Sequence, residues 1–477
     1  MSQEPFYITT TLPYTNSDPH IGFATEMIKA DVIARWHALL GEEIFFNTGT
    51  DEHGLKIYQK ALEAGLTPRE YCDPYADKFK ALKGALNLTF TNFIRTTDEN
   101  HVAATQAFWK LCEAKGDIYK KNYQIKYCVG CELEKTESDL VDGHCPLHPN
   151  QELEIIDEEN YFFRFSKYAE PLIKFYEANP NFVIPEHRFK EIRNFVTGGL
   201  QDFSISRLKD KMPNGVPVPG DESQVIYVWF DALVNYISTL GWPDVTGDYK
   251  KFWPGMQVCG KDNLRQQTAM WQAMLMSAGL PNSKQVLIFG FLTANGQKIS
   301  KSAGNGIDPF EFSDKYGADT LRYYLLSDIL PFEDGDFSEE RLRLKYNSDL
   351  ANGLGNLAAR VATLLETNEI VTKLEINISG LAWADEFTKT INAYKYNEAL
   401  AILWEQIRHC NEKISAAAPW KMTDQKEISA VLTPIAQDIL NVAYFLQIFM
   451  PTTATKLIKQ FSEAQIKKGE SLFPRLT

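Results

Sequence analysis

The sequence predicts an α/β protein: a parallel sheet with helices on its faces, split by an inserted domain and followed by a C-terminal helical bundle. Three observations carry this. β-Branched and aromatic runs (Phe6 to Thr11, Glu43 to Thr48, Phe90 to Arg95) alternate with helical periodicity up to about Leu111. From about Glu113 the pattern breaks into short strands around a cysteine cluster and stays turn-rich to Gly220. Beyond Arg341 apolar residues recur with helical period, broken near Asn377 to Gly380, at Pro419 and at Met450-Pro451. At 477 residues the chain exceeds one ordinary core.

Composition narrows the function classes. Hydrophobic residues at 44% and charged residues at 23% belong to a globular protein. The longest apolar run, around Asn441 to Met450, is too short to span a bilayer, so no membrane association is expected. Met1-Ser2-Gln3-Glu4-Pro5 lacks the basic-then-apolar order of a signal peptide, which predicts a cytoplasmic protein. Seven cysteines in such a chain argue for thiols and metal ligands over a disulfide framework. A net charge of −13 opposes a general nucleic-acid binder. Beyond Asp336, however, Lys and Arg nearly balance Asp and Glu, so a nucleic-acid surface would be a local patch.

Taken in order, Phe6 to Thr11 reads as a strand and Thr15 to Pro19 as a turn. A helix follows, with Ile21, Ala24, Ile28, Val32, Trp36 and Leu39 at near-helical spacing and Gly41 as its C-cap. Strand, turn and helix N-terminus make an anion site: backbone N–H groups and the helix dipole favour phosphate, Gly22 permits close approach and His20 adds a donor. A capped helix with an incidental histidine would look the same. There is no G-x-G-x-x-G fingerprint and no P-loop. In a parallel sheet ligands bind at the carboxyl ends of the strands, where Tyr14 and Asp51 fall.

Cys128-x-x-Cys131 and, after thirteen intervening residues, Cys145-Pro146-Leu147-His148 form two clips of soft and borderline ligands. Four such ligands predict one closed, tetrahedral, structural zinc ion per chain. His144 could replace His148, although its spacing to Cys145 makes joint chelation awkward. Cys72, Cys112, Cys259 and Cys410 are not expected to take part. Val225 to Phe230 reads as a buried strand, Met270 to Ala278 as a helix and Val286 to Leu292 as a buried strand. After it, Gly296-Gln297-Lys298-Ile299-Ser300-Lys301-Ser302-Ala303-Gly304-Asn305-Gly306 places two lysines three apart in a glycine-flanked loop, which suits closure on a polyphosphate. Tyr316 to Leu326 is helix-like.

The stretch Pro19-His20-Ile21-Gly22-Phe23 and the Lys298 to Ser302 stretch together resemble the two signatures of the class I aminoacyl-tRNA synthetases. Leu12-Pro13-Tyr14, Gly49-Thr50-Asp51-Glu52-His53-Gly54, Tyr227-Val228-Trp229-Phe230-Asp231-Ala232, Gly260-Lys261-Asp262 and Leu321-Arg322-Tyr323-Tyr324 narrow the resemblance to methionyl-tRNA synthetases. It implies a Rossmann-like nucleotide-binding domain in two halves, 1–112 and 223–292, separated by a connective domain, 113–222, with the zinc knuckle. A signature-loop segment, 293–345, and a helical anticodon-binding domain, 346–477, complete the chain. The ending gives no sign of an appended domain, and a monomer is expected.

The implied reaction is attack of the methionine carboxylate on the α-phosphorus of ATP, held with Mg2+, then transfer of the methionyl group to the 3′ end of methionine tRNA. The carboxylate is already ionised, so catalysis comes from positioning and charge stabilisation. By the resemblance His20, Lys298 and Lys301 are catalytic, with Lys301 the closer transition-state contact. His20, Gly22, Glu26, Gly260, Asp262 and Lys301 bind ATP, with Asp262 accepting from a ribose hydroxyl. Asp51 pairs with the α-ammonium, while Leu12, Tyr14, Trp229, Tyr236 and Gln267 form the methionine pocket, whose aromatic walls suit a polarizable thioether. Asn356 and Arg360, one helical turn apart, and Trp420 read the anticodon. Without the family pattern, Trp229, Tyr236 and Trp420 would read as core and Asn356 and Arg360 as solvated surface.

Two positions depart from the pattern. Phe23 stands where the family has its second signature histidine, and Gln267 where it has a pocket histidine. They motivate a second expectation: a synthetase-like paralogue that activates or senses an amino acid without charging tRNA, or charges with relaxed specificity. A structural RNA-binding zinc protein is a third, and it leaves both lysines and Asp51 unexplained.

Overall fold

The computed structural model describes residues 4–131, 133–135, 139–294, 296–299 and 306–476. They form two compact units, Met1–Pro19, Leu40–Ala81 and Phe90–Phe289 in the first, and His20–Leu39, Leu82–Thr89 and Gly290–Thr477 in the second.

The first unit is built on a six-stranded, all-parallel sheet. In spatial order its strands are Asn92–Arg95, Ile44–Thr50, Phe6–Thr9, Met256–Gly260, Gln285–Phe289 and Val183–Ile184. Phe6–Thr9 is central and wholly buried, as expected of a parallel strand covered on both faces. Gly49 is required here: a Cβ would lie 1.8 Å from the Ile94 carbonyl oxygen of the adjoining strand. The core beneath the sheet is aromatic, with Phe108 stacked on Trp271 at 5.5 Å and edge-on to Phe230 and Trp242 at 5.8 Å.

Two antiparallel sheets accompany it. One contains Leu133–Lys135, Ile118–Cys128, Glu154–Phe163 and Phe203–Ser204; the other contains Pro217–Val218, Asp221–Ile226 and Ser206–Leu208. The structure here corrects the sequence. Val225 to Phe230 is not one buried strand of the parallel sheet: Asp221–Ile226 pairs antiparallel with Ser206–Leu208, and Val228–Ala232 is a short helix. An unbroken apolar run cannot distinguish a buried strand from a buried helical turn. The parallel sheet resumes only at Met256, and Val183–Ile184 joins its edge.

In the second unit, helix Ile21–Leu39 buries Asp31, which binds Arg322 of helix Ala318–Ser327 at 2.8 Å with both side chains inaccessible. Arg322 Nε also donates to the Phe449 carbonyl at 2.7 Å. This accounts for the arginine in the apolar run Leu321-Arg322-Tyr323-Tyr324: a buried charge persists when it is paired and hydrogen-bonded. A small sheet joins Leu292–Ala294 to Gln297–Lys298 and to Gly335–Phe337. The bundle contains Asn356–Thr367, Ala382–Asn392, Tyr396–Ala417, Gln425–Leu446 and Pro451–Phe461. It breaks around Asn377 to Gly380, at Pro419 and at Met450-Pro451 as expected, and also at 393–395, where there is no proline or glycine, while Pro434 is accommodated within a helix. Gln425–Leu446 is long and apolar enough by composition to cross a membrane, longer than the Asn441 to Met450 run suggested. More than half of its most apolar stretch is buried, and it packs on Tyr396–Ala417 and Pro451–Phe461.

Candidate active site and metal centre

Beyond the carboxyl ends of the adjacent strands Phe6–Thr9 and Ile44–Thr50, Tyr14 and Asp51 extend the sheet by a parallel bridge. Asp51 N–H donates to the Pro13 carbonyl at 2.9 Å, and Thr15 N–H to the Asp51 carbonyl at 3.2 Å. The buried Asp51 carboxylate accepts from the Thr96 hydroxyl at 3.3 Å and from His53 N–H at 3.4 Å. Its neighbour Glu52 is held by Arg95 at 2.6 Å, and Arg95 by Asp73 at 2.6 Å. The Asp51 segment is thus fixed from strand to turn, which preorganises its charge.

Tyr14 and Trp229 pack together against the buried Tyr127, Tyr227 and Val228, and Leu12 is half-buried. Tyr236 is buried and its hydroxyl accepts from Gln267 Nε2 at 2.5 Å, while Gln267 Oε1 accepts from Gln257 Nε2 at 2.9 Å. Gln267 lies in a π-helical turn, Gln266–Met270, that opens helix Trp271–Ala278, a distortion that recurs at functional sites. Gly260 ends its strand, and Lys261–Asn263 forms a 3₁₀ turn that exposes Asp262.

In the second unit, His20 directly precedes helix Ile21–Leu39 and its Nδ1 accepts from Gly22 N–H at 3.1 Å. That bond assigns the neutral ring's proton to Nε2. A Cβ on Gly22 would sit 3.0 Å from the imidazole, so this glycine makes room for the histidine ring. Glu26 lies one turn further along the helix, and Phe23 is half-buried. Lys298 pairs with Thr293 in the hairpin Leu292–Ala294/Gln297–Lys298. Asp336 fixes the hairpin's tip, accepting from Gly296 N–H at 2.9 Å and from the Thr293 hydroxyl at 2.8 Å. Lys301 lies outside the described residues.

The bundle carries a cavity of about 370 Å³ lined by Asn356, Arg360, Thr363, Leu364, Trp420 and Lys468. The Arg360 guanidinium lies 4.3 Å from the Trp420 ring centre. Trp420 is 47% exposed.

Cys128, Cys131, Cys145 and His148 converge, their ligand atoms all within 4.8 Å of one another. Cys131 Sγ lies 3.2 Å from His148 Nδ1 and 3.5 Å from Cys145 Sγ, and Cys128 Sγ lies 3.6 Å from His148 Nδ1. Tetrahedral zinc–sulfur bonds of about 2.3 Å set ligand separations of about 3.8 Å, close to these. Gly130 is the tight point of the first clip, since a Cβ there would meet the His148 ring at 2.5 Å. Of the two histidines it is His148, not His144, that joins the cysteines. The donor set, three thiols and an imidazole, fits a closed metal ion.

A family model for class I (M) tRNA synthetases matches residues 6–152 and 137–362. The chain is 42% identical to the methionine–tRNA ligase of Thermotoga maritima over 98% of its own length and 77% of that protein. It is 40% identical to that of Synechocystis sp. over 95% and 89%. Among solved structures, Mycobacterium tuberculosis methionyl-tRNA synthetase in complex with methionyl-adenylate superposes with a TM-score of 0.92 at 34% identity, covering 99% of this chain and 100% of that one. The chain belongs to the methionine–tRNA ligases.

For a methionine–tRNA ligase, several structural features escaped the sequence. Asp231, buried on Val228–Ala232, accepts from His53 Nδ1 at 2.6 Å and from His101 Nε2 at 2.9 Å. The two histidines hold its carboxyl well below the usual carboxylate range against the opposing effect of burial. Asp231 was visible only as part of a motif, and His101 carried no signal. Lys468 reaches the Trp420 cavity from outside any helix, and Asp336 anchors the hairpin from a separate strand.

Proposed function

We propose that this ligase activates methionine with ATP and transfers the methionyl group to the 3′ end of methionine tRNA. The observation that carries the reading is Asp51: a buried, hydrogen-bonded carboxylate bridged to Tyr14 at the carboxyl ends of adjacent parallel strands. There it pairs with the α-ammonium. Leu12, Tyr14, Trp229 and Tyr236 hold the side chain, and Trp229 Nε1 is buried without a hydrogen-bond partner among the described residues. Gln267, in place of the family's histidine, retains a hydrogen bond to the Tyr236 hydroxyl. Gly260 and Asp262 take the ribose side of ATP. His20 donates from Nε2 to a phosphate oxygen, with Gly22 and Glu26 on the same helix end. Lys298 and Lys301 neutralise charge developing on the polyphosphate, which Mg2+ accompanies as part of the substrate.

Zinc is the ion that suits the three cysteines and His148; it holds the knuckle's two clips together and takes no part in the reaction. Asn356, Arg360 and Trp420 read the anticodon. The division into 1–112, 113–222, 223–292, 293–345 and 346–477 follows these roles, and the reading carries with it a monomer in the cytoplasm.

Methionine-dependent exchange of pyrophosphate into ATP tests the proposal. The wild type should respond to methionine above all other amino acids, and Asp51→Asn should raise the KM for methionine by about 30-fold or more, the cost of unpairing a buried charge. A response to another amino acid alone would refute it. Phe23 favours a second reading, activation without charging. Exchange with no transfer to methionine tRNA would establish that one.

A further inference from the structure

Asp231 lies at the centre of a buried network that ties the amine subsite to the aromatic wall. Its Oδ2 accepts from His53 Nδ1 at 2.6 Å; its Oδ1 accepts from His101 Nε2 at 2.9 Å and from the Thr105 hydroxyl at 3.2 Å. His101 Nδ1 is in turn bonded to the Ser238 hydroxyl at 2.9 Å. Asp231, His53, His101, Thr105 and Ser238 are all buried. Four separate stretches of chain meet there: the turn after Ile44–Thr50, helix Glu99–Ala114, helix Val228–Ala232 and helix Asn235–Ser238.

We propose that Asp231 is a positioning residue for methionine recognition, setting the Asp51 carboxylate through His53. It rests on the reading of Asp51 as the ammonium partner. The link is short. Asp231 grips the His53 ring, and the His53 backbone N–H points at Asp51 Oδ1 at 3.4 Å, on the oxygen that also takes the Thr96 hydroxyl at 3.3 Å. A buried, ionised anchor fixes ring and backbone together, and a fully satisfied polar network of this kind rigidifies its members. Asp231 also sits two residues from Trp229 on the same short helix, so one carboxylate registers the ammonium partner against the thioether wall. A hydrogen bond to a charged group of about 3 Å leaves little room for error: a shift of about 1 Å in such a positioned group lowers activity by up to about a hundredfold.

The readout must separate ammonium recognition from general packing. Methionine is compared with 4-(methylthio)butanoate, which keeps the thioether and carboxylate and lacks the ammonium, measured as an inhibitor of pyrophosphate exchange. Asp231→Asn keeps the volume but cannot accept from both imidazoles. It should raise the KM for methionine about tenfold or more, change kcat far less, and leave the inhibition constant of the desamino analogue within about twofold. His53→Gln cuts the same link at its outer end and should give the same selective loss, which covers the case in which Asp231→Asn does not fold. Equal losses for methionine and the analogue, or no loss for either, would overturn the proposal. The wild type supplies the independent check. If it bound the two ligands equally, the Asp51 assignment itself would fall, whatever the variants did.

Discussion

The hydrogen bond from Gly22 N–H to His20 Nδ1 orients the ring and assigns the neutral ring's proton to Nε2 from within the helix's own first turn. The next position departs from the family. Phe23 offers no donor, and a missing oxyanion-type donor costs about two decades in rate when nothing substitutes. Phe23→His should therefore raise the pyrophosphate-exchange rate, by up to about a hundredfold; an unchanged rate would show that another group already fills the role. Trp420→Ala should remove a stacking surface worth ~1–3 kcal/mol from tRNA charging and leave exchange nearly intact. Equal damage to both would make Trp420 structural. The sequence singles out His20, Asp51 and Trp420 as candidates because each belongs to a contiguous pattern with chemical sense. It does not single out Asp231 with His101, 130 positions apart, or Lys468 beside Trp420, because only folding brings them together.

At the scale of elements, the knuckle was the most legible feature, since paired clips fix ligand number and geometry in a few residues. Metal analysis should find one zinc per chain in the wild type and loss of it in Cys131→Ser; full retention in the variant would refute the ligand set. Helix Ile21–Leu39 hides what its sequence does not announce. Lys29 is buried, its Nζ donates to the Pro331 carbonyl at 3.2 Å, and burial pushes its pKa down to about 7 against the opposing pull of Glu26. Unfolded, a lysine titrates near 10.4, so between about pH 7 and 10 the unfolded chain binds the extra proton. Stability of the second unit should rise with pH through that window and be independent of this group below it. Urea unfolding at about pH 7 and about pH 9 should differ by up to about 2 kcal/mol from this residue, and Lys29→Met should remove the slope. Periodicity failed at Val228–Ala232 and at the π-helical turns Gln266–Met270 and Tyr346–Gly355. Apolar spacing reports that a segment is buried, whereas the number of residues per turn is set by what packs around it.

For the whole molecule, the alternation of strands and helices, the insertion and the bundle were all legible, because each layer needs a different apolar period over many residues. The assignment of helix Ile21–Leu39 to the second unit was not, since Arg322, which buries against Asp31, lies nearly 300 residues away in sequence. The acidic balance of −13 leaves tRNA binding to a local surface, and the bundle carries a cavity that combines an exposed aromatic ring with Arg360 and Lys468. Charging of methionine tRNA with radiolabelled methionine tests the central claim most directly, because it requires activation, anticodon reading and transfer in one protein. The structure predicts methionine- and ATP-dependent acylation that Asp51→Asn impairs through activation and Trp420→Ala impairs without loss of exchange. Robust methionine-dependent exchange with no acylation of any methionine tRNA would contradict it.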